Sequence, residues 1–298
     1  MRDFGSTEDI GYCHDTSLCV ERCLLTQVLS GRIHVEVIIC RDEHQVGVLS
    51  AAKIAHIAVT IGPGIVLGVA TGSSPLATYA ELKRLTQRGY LRLGAAYAFA
   101  LDEYVGLPAD HPLSYHEEIR RTVAEPLGLD PIRVYVPDGA LSGLSTAGQR
   151  YEDLIRSVGG IDVQILGLGE NGHVGFNEPT SSLTSRTRMK TLAPSTRQAN
   201  ARFFPNPDDV PRHCVTQGLG TIMEARNIVL VATGEDKADA VANVIEGPIS
   251  AMCPGSVLQM HQNTTVIVDE TAASQLTLTD YYKAVYDDLP TWQRLDLV

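Results

Sequence analysis

From His34 to the carboxyl end, short apolar runs alternate regularly with longer stretches of helical spacing. HVEVIIC (34–40) reads as a strand, and QVGVLSAAKIAHIAVTI (45–61) repeats its apolar positions at the 3.6-residue period of a helix. IVLGVA (65–70) is the next strand, TGSSP (71–75) a loop, and 76–87 a helix that stops at Arg88-Gly89. The alternation continues through strand AAYAFAL (95–101), a helix over 115–123, strand IRVYV (132–136), a helix over 145–158 and strand DVQIL (162–166). Strand NIVLVA (227–232), a helix over 237–246, strand TTVIVD (264–269) and a terminal helix over 280–289 complete the set.

Strands separated by helices over this length predict an α/β fold: a single doubly wound, Rossmann-like domain with a mainly parallel sheet and helices on both faces. Two stretches break the rhythm. Residues 1–33 mix polar residues with scattered cysteines and carry no strand signal, so they read as an amino-terminal extension to a domain spanning 34–298. Residues 180–225 are polar and rich in Ser, Thr, Arg and Pro, and predict an excursion that covers the site with short helical pieces at most.

Composition narrows the class. The 298 residues are 44% hydrophobic, enough for one large core. The formal net charge of −11 argues against a nucleic-acid surface, which needs clustered Lys and Arg. No apolar run approaches the roughly 20 residues that span a bilayer, and the amino end lacks a secretion signal, so no membrane partner and a cytoplasmic location are expected. The six cysteines form no C-x-x-C pair, and Cys13, His14, Cys19 and Cys23 fit no common zinc spacing; reduced thiols and no bound metal are expected.

In such a sheet ligands gather outside the carboxyl ends of the strands, so the residues delivered there are the candidates for chemistry. The strand ending at Leu166 leads into GLGENGHVGFNEP, where three glycines open a tight turn before His173 and Glu178 follows five residues later. An imidazole whose other nitrogen is held by a carboxylate moves protons near neutral pH. The letters also match G-x-G-x-x-G, but the dinucleotide motif requires a helix at its last glycine, and VGFNEP follows instead. The alternative is a glycine turn with a chance histidine. Asp102 directly follows an apolar strand, where a low-dielectric wall would raise its pKa and suit it to moving protons on carbon; a helix cap or an arginine partner is the plainer reading. Thr71, Gly72, Ser73 and Ser74 form a hydroxyl and glycine loop before a helix, suited to phosphate, or else an ordinary helix cap. Lys237 and Arg202 are cations that would complete such a site, and equally ordinary surface residues.

TGSSPLATY, LDEYVGLPADHPLSY, LGLGENGHVGFNEPTSSLTSRTRMKTL and TRQANARFF together closely resemble the glucosamine-6-phosphate deaminase family, in the same order and over about residues 36 to 285. The resemblance implies an enzyme of amino-sugar catabolism that turns glucosamine 6-phosphate into fructose 6-phosphate and ammonia without metal or organic cofactor. It assigns Asp102 to proton transfer between C2 and C1, His173 to opening of the pyranose ring, and Glu178 to orienting that imidazole. Phosphate binding falls to Gly72, Ser73, Ser74, Arg202 and Lys237, with Thr71 in the same loop. Asn171 stands where the best-known pattern has a second aspartate, which implies an altered pH profile. Some relatives are homo-oligomers under effector control through positions matching Ser181, Ser182, Arg188 and Lys190, and the extension before residue 34 weakens that parallel. The competing readings are the galactosamine epimer as substrate, a related phosphogluconolactonase, and a non-catalytic sugar-phosphate sensor.

Overall fold

The protein is described, over residues 35–290 and residue 295, from a computed structural model. The expected extension over 1–33 lies outside the described residues, as do Cys13, His14, Cys19 and Cys23. Seven strands, β1 (Glu36–Cys40), β2 (Val66–Val69), β3 (Tyr97–Ala100), β5 (Val134–Tyr135), β6 (Val163–Leu166), β9 (Asn227–Ala232) and β10 (Thr264–Asp269), form one sheet in the order β1-β10-β9-β6-β2-β3-β5. Every pairing in it is parallel.

A parallel sheet is covered on both faces, which explains why its strands read as continuous apolar runs. All six residues of β10 and all four of β2 and β6 are buried. Alternate side chains then serve different layers. Ile38, Leu67, Val163, Ile165, Val229 and Ile267 join a cluster with Ile54, Leu82 and Ile119, from α1 (Glu43–Ile61), α2 (Leu76–Gln87) and α3. The helix α3 runs through Tyr115–Ile119, a π turn at Arg120–Ala124 and Glu125–Leu127. On the opposite face Val66, Phe99, Leu166, Leu230 and Val266 meet Tyr151 and Ile155 of α4 (Leu144–Ser157).

The chain order explains where a ligand would bind. From β2 the sheet is built outward through β3 and β5, whereas from β6 it is built the other way through β9 and β10. Between β2 and β6 the connections diverge to opposite sides, leaving a crevice at the carboxyl ends of these two neighbours. The loops that emerge there are 71–75 and 167–178.

The stretch 180–225 is more ordered than its composition predicts. It contains β7 (Arg188–Thr191), α5 (Pro194–Asn200), β8 (His213–Thr216) and α6 (Leu219–Met223). With β4 (Asp102–Tyr104), β7 and β8 make a second, antiparallel sheet in the order β4-β8-β7. The pairs run Asp102↔Thr216 and Tyr104↔Cys214 in one ladder, and Arg188↔Thr216 and Lys190↔Cys214 in the other. The period-2 signal is hidden because β7 reads RMKT, with no residue fully buried. The expected strand 132–136 is likewise shorter, since Pro131–Arg133 turns as a 3-10 helix before β5.

Glu152 on α4 ties the two sheets together. Its buried carboxylate accepts from the Thr187 N–H at 2.8 Å, from the hydroxyls of Thr187 and Thr221, and from the Arg186 guanidinium. Burial works to raise its pKa, but these hydrogen bonds prevail and hold it below the ordinary carboxylate value. Glu152→Ala is expected to cost about 2–4 kcal/mol in urea unfolding at pH 7, because several buried donors lose one acceptor. A depressed native pKa contributes above the unfolded value and is lost as pH falls, so the gap between wild type and variant should narrow below about pH 4.

Candidate active site

Asp102 stands at the step between the two sheets. The Leu101 N–H still bonds Val69 O in β2 at 3.0 Å, while the Leu101 carbonyl accepts from Gln217 N at 2.7 Å beside β8. One residue later the chain has changed sheets, and Asp102 is only 5% exposed. Burial pushes its pKa up to about 8, aided by the negative charges of Glu103 and Glu118 and opposed by hydrogen bonds from Thr216 and the Phe176 N–H. Glu103 is itself buried and accepts backbone N–H bonds from Tyr104, Tyr115 and His116 at 2.7, 3.0 and 2.8 Å, capping the start of α3.

The loop after β6 passes directly over this carboxylate. At Gly175, with φ +54, a Cβ would lie 3.0 Å from Thr216 Oγ1 and 3.4 Å from Asp102 Oδ2, so no side chain fits between them without displacement. Phe176 is held by its N–H on Thr216 Oγ1 at 3.0 Å and packs its ring on Tyr104 and Tyr115, each at 5.9 Å between centroids. Asn177 is fully buried; its amide donates to Val174 O and Gln217 O and accepts from Arg188 at 2.7 Å. The GFN part of the string is therefore an anchor to the second sheet.

His173 lies flat against the turn. A Cβ on Gly169 would sit 2.2 Å from His173 Cε1, so the ring occupies the space that only glycine leaves open. His173 Nδ1 is 2.6 Å from Asn171 Oδ1 and 3.5 Å from Glu178 Oε2, and Asn171 Nδ2 donates to the same Oε2 at 2.9 Å. Glu178 holds the imidazole mainly through Asn171, which stands between them. The other oxygen of Glu178 accepts from the Thr196 hydroxyl and from Ala193 N at 3.4 Å. Burial alone would raise the pKa of Glu178, yet its bonds to His173, Thr196 and Asn171 and the attraction of the imidazole bring it down to about 2. An amide oxygen and an anionic carboxylate are both acceptors, so they assign the ring proton to Nδ1 and leave Nε2 with its lone pair.

The loop after β2 shares this edge. Helix α2 begins with Pro75 at its N-cap and no side-chain cap, so Ser73 and Ser74 are not spent on the helix end. A Cβ on Gly167 would lie 3.4 Å from Ser74 Cβ, which sets loop 71–74 against the start of the His173 loop. Lys237, on the turn before α7 (Ala238–Ile245), has its Nζ 4.0 Å from Glu170 of the same loop. Arg202 lies on the exposed turn Ala201–Phe203 with its guanidinium 4.8 Å from the Phe203 ring centroid.

The four residues matched to effector control are differently placed. Ser181 is buried with no partner for its hydroxyl among the described residues, Ser182 is exposed and shares a 3.2 Å hydrogen bond with Thr184, and Lys190 is half-buried on β7. Arg188 is committed to Asn177. No group of three or more His, Cys, Asp or Glu among the described residues is arranged to hold a metal ion.

The profile of glucosamine-6-phosphate isomerases/6-phosphogluconolactonase matches residues 47–267. The chain belongs to that family. A glucosamine-6-phosphate deaminase of Cutibacterium acnes is 57% identical over 249 residues, 84% of this chain and 95% of its own length. One from Arthrobacter is 52% identical over 88% of this chain and its entire length. Among solved structures, a monomeric glucosamine-6-phosphate deaminase superposes with a TM-score of 0.78 at 40% identity, covering 81% of this chain and all of that one. The 6-phosphogluconolactonase of Trypanosoma cruzi, at 19% identity and a TM-score of 0.64 over 83% of this chain and 98% of its own, shares the fold alone.

The buried Asp102 carboxylate has a consequence for folding. An acid whose native pKa is raised binds more protons folded than unfolded, so its contribution to stability declines as pH rises from about 4 to about 8. Asp102→Asn should therefore raise Tm at pH 8 by roughly 2–4 °C, and by less at pH 5, in calorimetry of the two proteins.

Proposed function

We propose that this chain converts glucosamine 6-phosphate and water into fructose 6-phosphate and ammonia, in the cytoplasm, with Asp102, His173 and Glu178 as its proton-transfer set. The observation that carries the reading is the pairing of two groups at one sheet edge. One is a buried carboxylate with pKa about 8, and the other an imidazole held at Nδ1, with no hydrogen-bond partner for its Nε2 among the described residues. A sugar-phosphate sensor would gain nothing from either, and the high identity to deaminases over most of the chain favours this reaction over lactone hydrolysis.

In this reading Thr71, Gly72, Ser73, Ser74 and Lys237 hold the phosphate, and Arg202 reaches it when the stretch after α5 moves inward. Ring opening breaks the C1–O5 bond, which needs a proton on O5 and loss of one from the C1 hydroxyl; His173 Nε2 serves that exchange while Asn171 and Glu178 fix the ring. Asp102 then removes the C2 proton, giving an enolamine, and returns a proton to C1. Both transfers lie on adjacent carbons, so one carboxylate on one face suffices. A pKa close to working pH lets the same group take and give the proton. The C2 ketimine that remains adds water and releases ammonia. None of these steps calls on a metal or organic cofactor. Assembly as a homo-oligomer is decided by light scattering of the full chain against its mass of 32.2 kDa.

Purified protein incubated with glucosamine 6-phosphate should release ammonia and fructose 6-phosphate in equal amounts. Substrate binding with neither product formed would favour the sensor, and hydrolysis of 6-phosphogluconolactone the lactonase. Asp102→Asn should lower kcat by at least about 10²-fold, the low end of what a general acid–base group supplies, while leaving substrate binding measurable by calorimetry. Asn171→Asp places a second carboxylate against His173 Nδ1 and should move the imidazole-governed limb of the pH–rate profile to higher pH; an unaltered profile would remove Asn171 from the mechanism.

A further inference from the structure

Glu118 on α3 enters the reaction just described only through its charge, one of those that raise the pKa of Asp102, yet it also reaches into the loop read as the phosphate site. Its Oε1 accepts the Gly72 N–H at 2.9 Å across 46 positions of sequence. The cation of the same site is similarly engaged: Lys237 Nζ, on a side chain 16% exposed, lies 3.5 Å from Asp236 Oδ2 and 4.0 Å from Glu170 Oε1. A loop N–H and an ammonium are what a phosphomonoester requires of this edge, and each faces one of the protein's own carboxylates. A carboxylate and a phosphate oxygen compete for the same backbone donor, and both are anions, so they cannot share it at hydrogen-bonding distance.

We infer that Glu118 is an internal competitor for the substrate phosphate, an affinity-determining residue that fills the Gly72 amide before substrate arrives and swings away when a phosphomonoester binds. The inference rests on the reading of residues 71–74 as the phosphate loop. Apparent affinity is then reduced by the fraction of molecules in which the amide is already taken. The ordinary alternative is a structural tie that only steadies the loop, and it predicts the opposite sign: loosening the tie would weaken phosphate binding.

Glu118→Gln keeps the length and the acceptor but removes the charge. Titration calorimetry with inorganic phosphate at pH 7.5 should give a Kd roughly 3- to 10-fold lower for the variant, since charged acceptors bind a donor about twice as strongly as neutral ones. The KM for glucosamine 6-phosphate should fall in the same direction. A phosphate Kd that is unchanged or higher overturns the competitor and supports the tie. Ser74→Ala and Thr71→Ala separate this from the reading beneath it. If they leave phosphate binding intact, the phosphate loop itself is wrong; if they weaken it while Glu118→Gln fails to tighten it, only the competitor is lost. Should Glu118→Gln fail to fold, Glu118→Asp, one methylene too short for the Gly72 N–H, carries the same expectation, and phosphate binding no tighter than wild type overturns it equally.

Discussion

The site depends on one constraint: the chain must leave the parallel sheet and enter the antiparallel one between Leu101 and Asp102. The Leu101 N–H belongs to β2 and its carbonyl to the approach to β8, so this peptide is pinned from both sides. Whatever follows is forced into the seam between two sheets, out of water and against Thr216. Placing a carboxylate there costs folding energy, because burial favours its neutral form. The same cost brings its titration into the range in which a proton can be taken and returned. The seam is thus at once unfavourable for a charge and suited to proton transfer.

The imidazole on the neighbouring loop is held by a different principle, a short chain of hydrogen bonds. His173, Asn171, Glu178 and Thr196 are linked in series, each polar atom facing a complementary one, so the ring has a defined tautomer. Asn171 is the link that sets this arrangement apart. It passes orientation from carboxylate to imidazole without contributing a charge of its own. Glu178 still supplies the negative charge from 3.5 Å, and its hydrogen-bond donors keep that carboxylate ionised against the opposing effect of burial.

Much of this could be read from residue order, and the reasons are physical. Strands such as TTVIVD and NIVLVA are buried on both faces, and they announce themselves as apolar runs whose observed bounds equal the expected ones. Helix 76–87 was equally plain, with its stop at Arg88-Gly89. The second sheet was hidden, because β7 is partly exposed and its residues are mostly polar, so neither burial nor periodicity marks it. The candidates that follow strands, Asp102, His173 and the 71–74 loop, were legible because a doubly wound sheet gathers such residues at one edge. Thr196 and Thr216 were not, since a lone threonine carries no signal until a sheet pairing or a nearby carboxylate gives its hydroxyl a partner. The Glu178–His173 contact that spacing implies is present at 3.5 Å, but the closer partner, Asn171, was not expected to stand between them, because which of two acceptors lies nearer a ring nitrogen is decided by the turn and not by the count of residues. Arg202 was a candidate both as a cation of the polar excursion and by resemblance, and the structure sets it on an exposed turn over the Phe203 ring.

The hydroxyl of Thr196 gives α5 a second importance. That short helix leads within two residues to Arg202, and its buried end is leashed to Glu178. A rigid stretch gripped at one end behaves as a lever: if the outer end swings toward an incoming anion, the inner end must tug on the oxygen it holds. News of what occupies the crevice would then travel to the imidazole through a single threonine, with no rearrangement of either sheet.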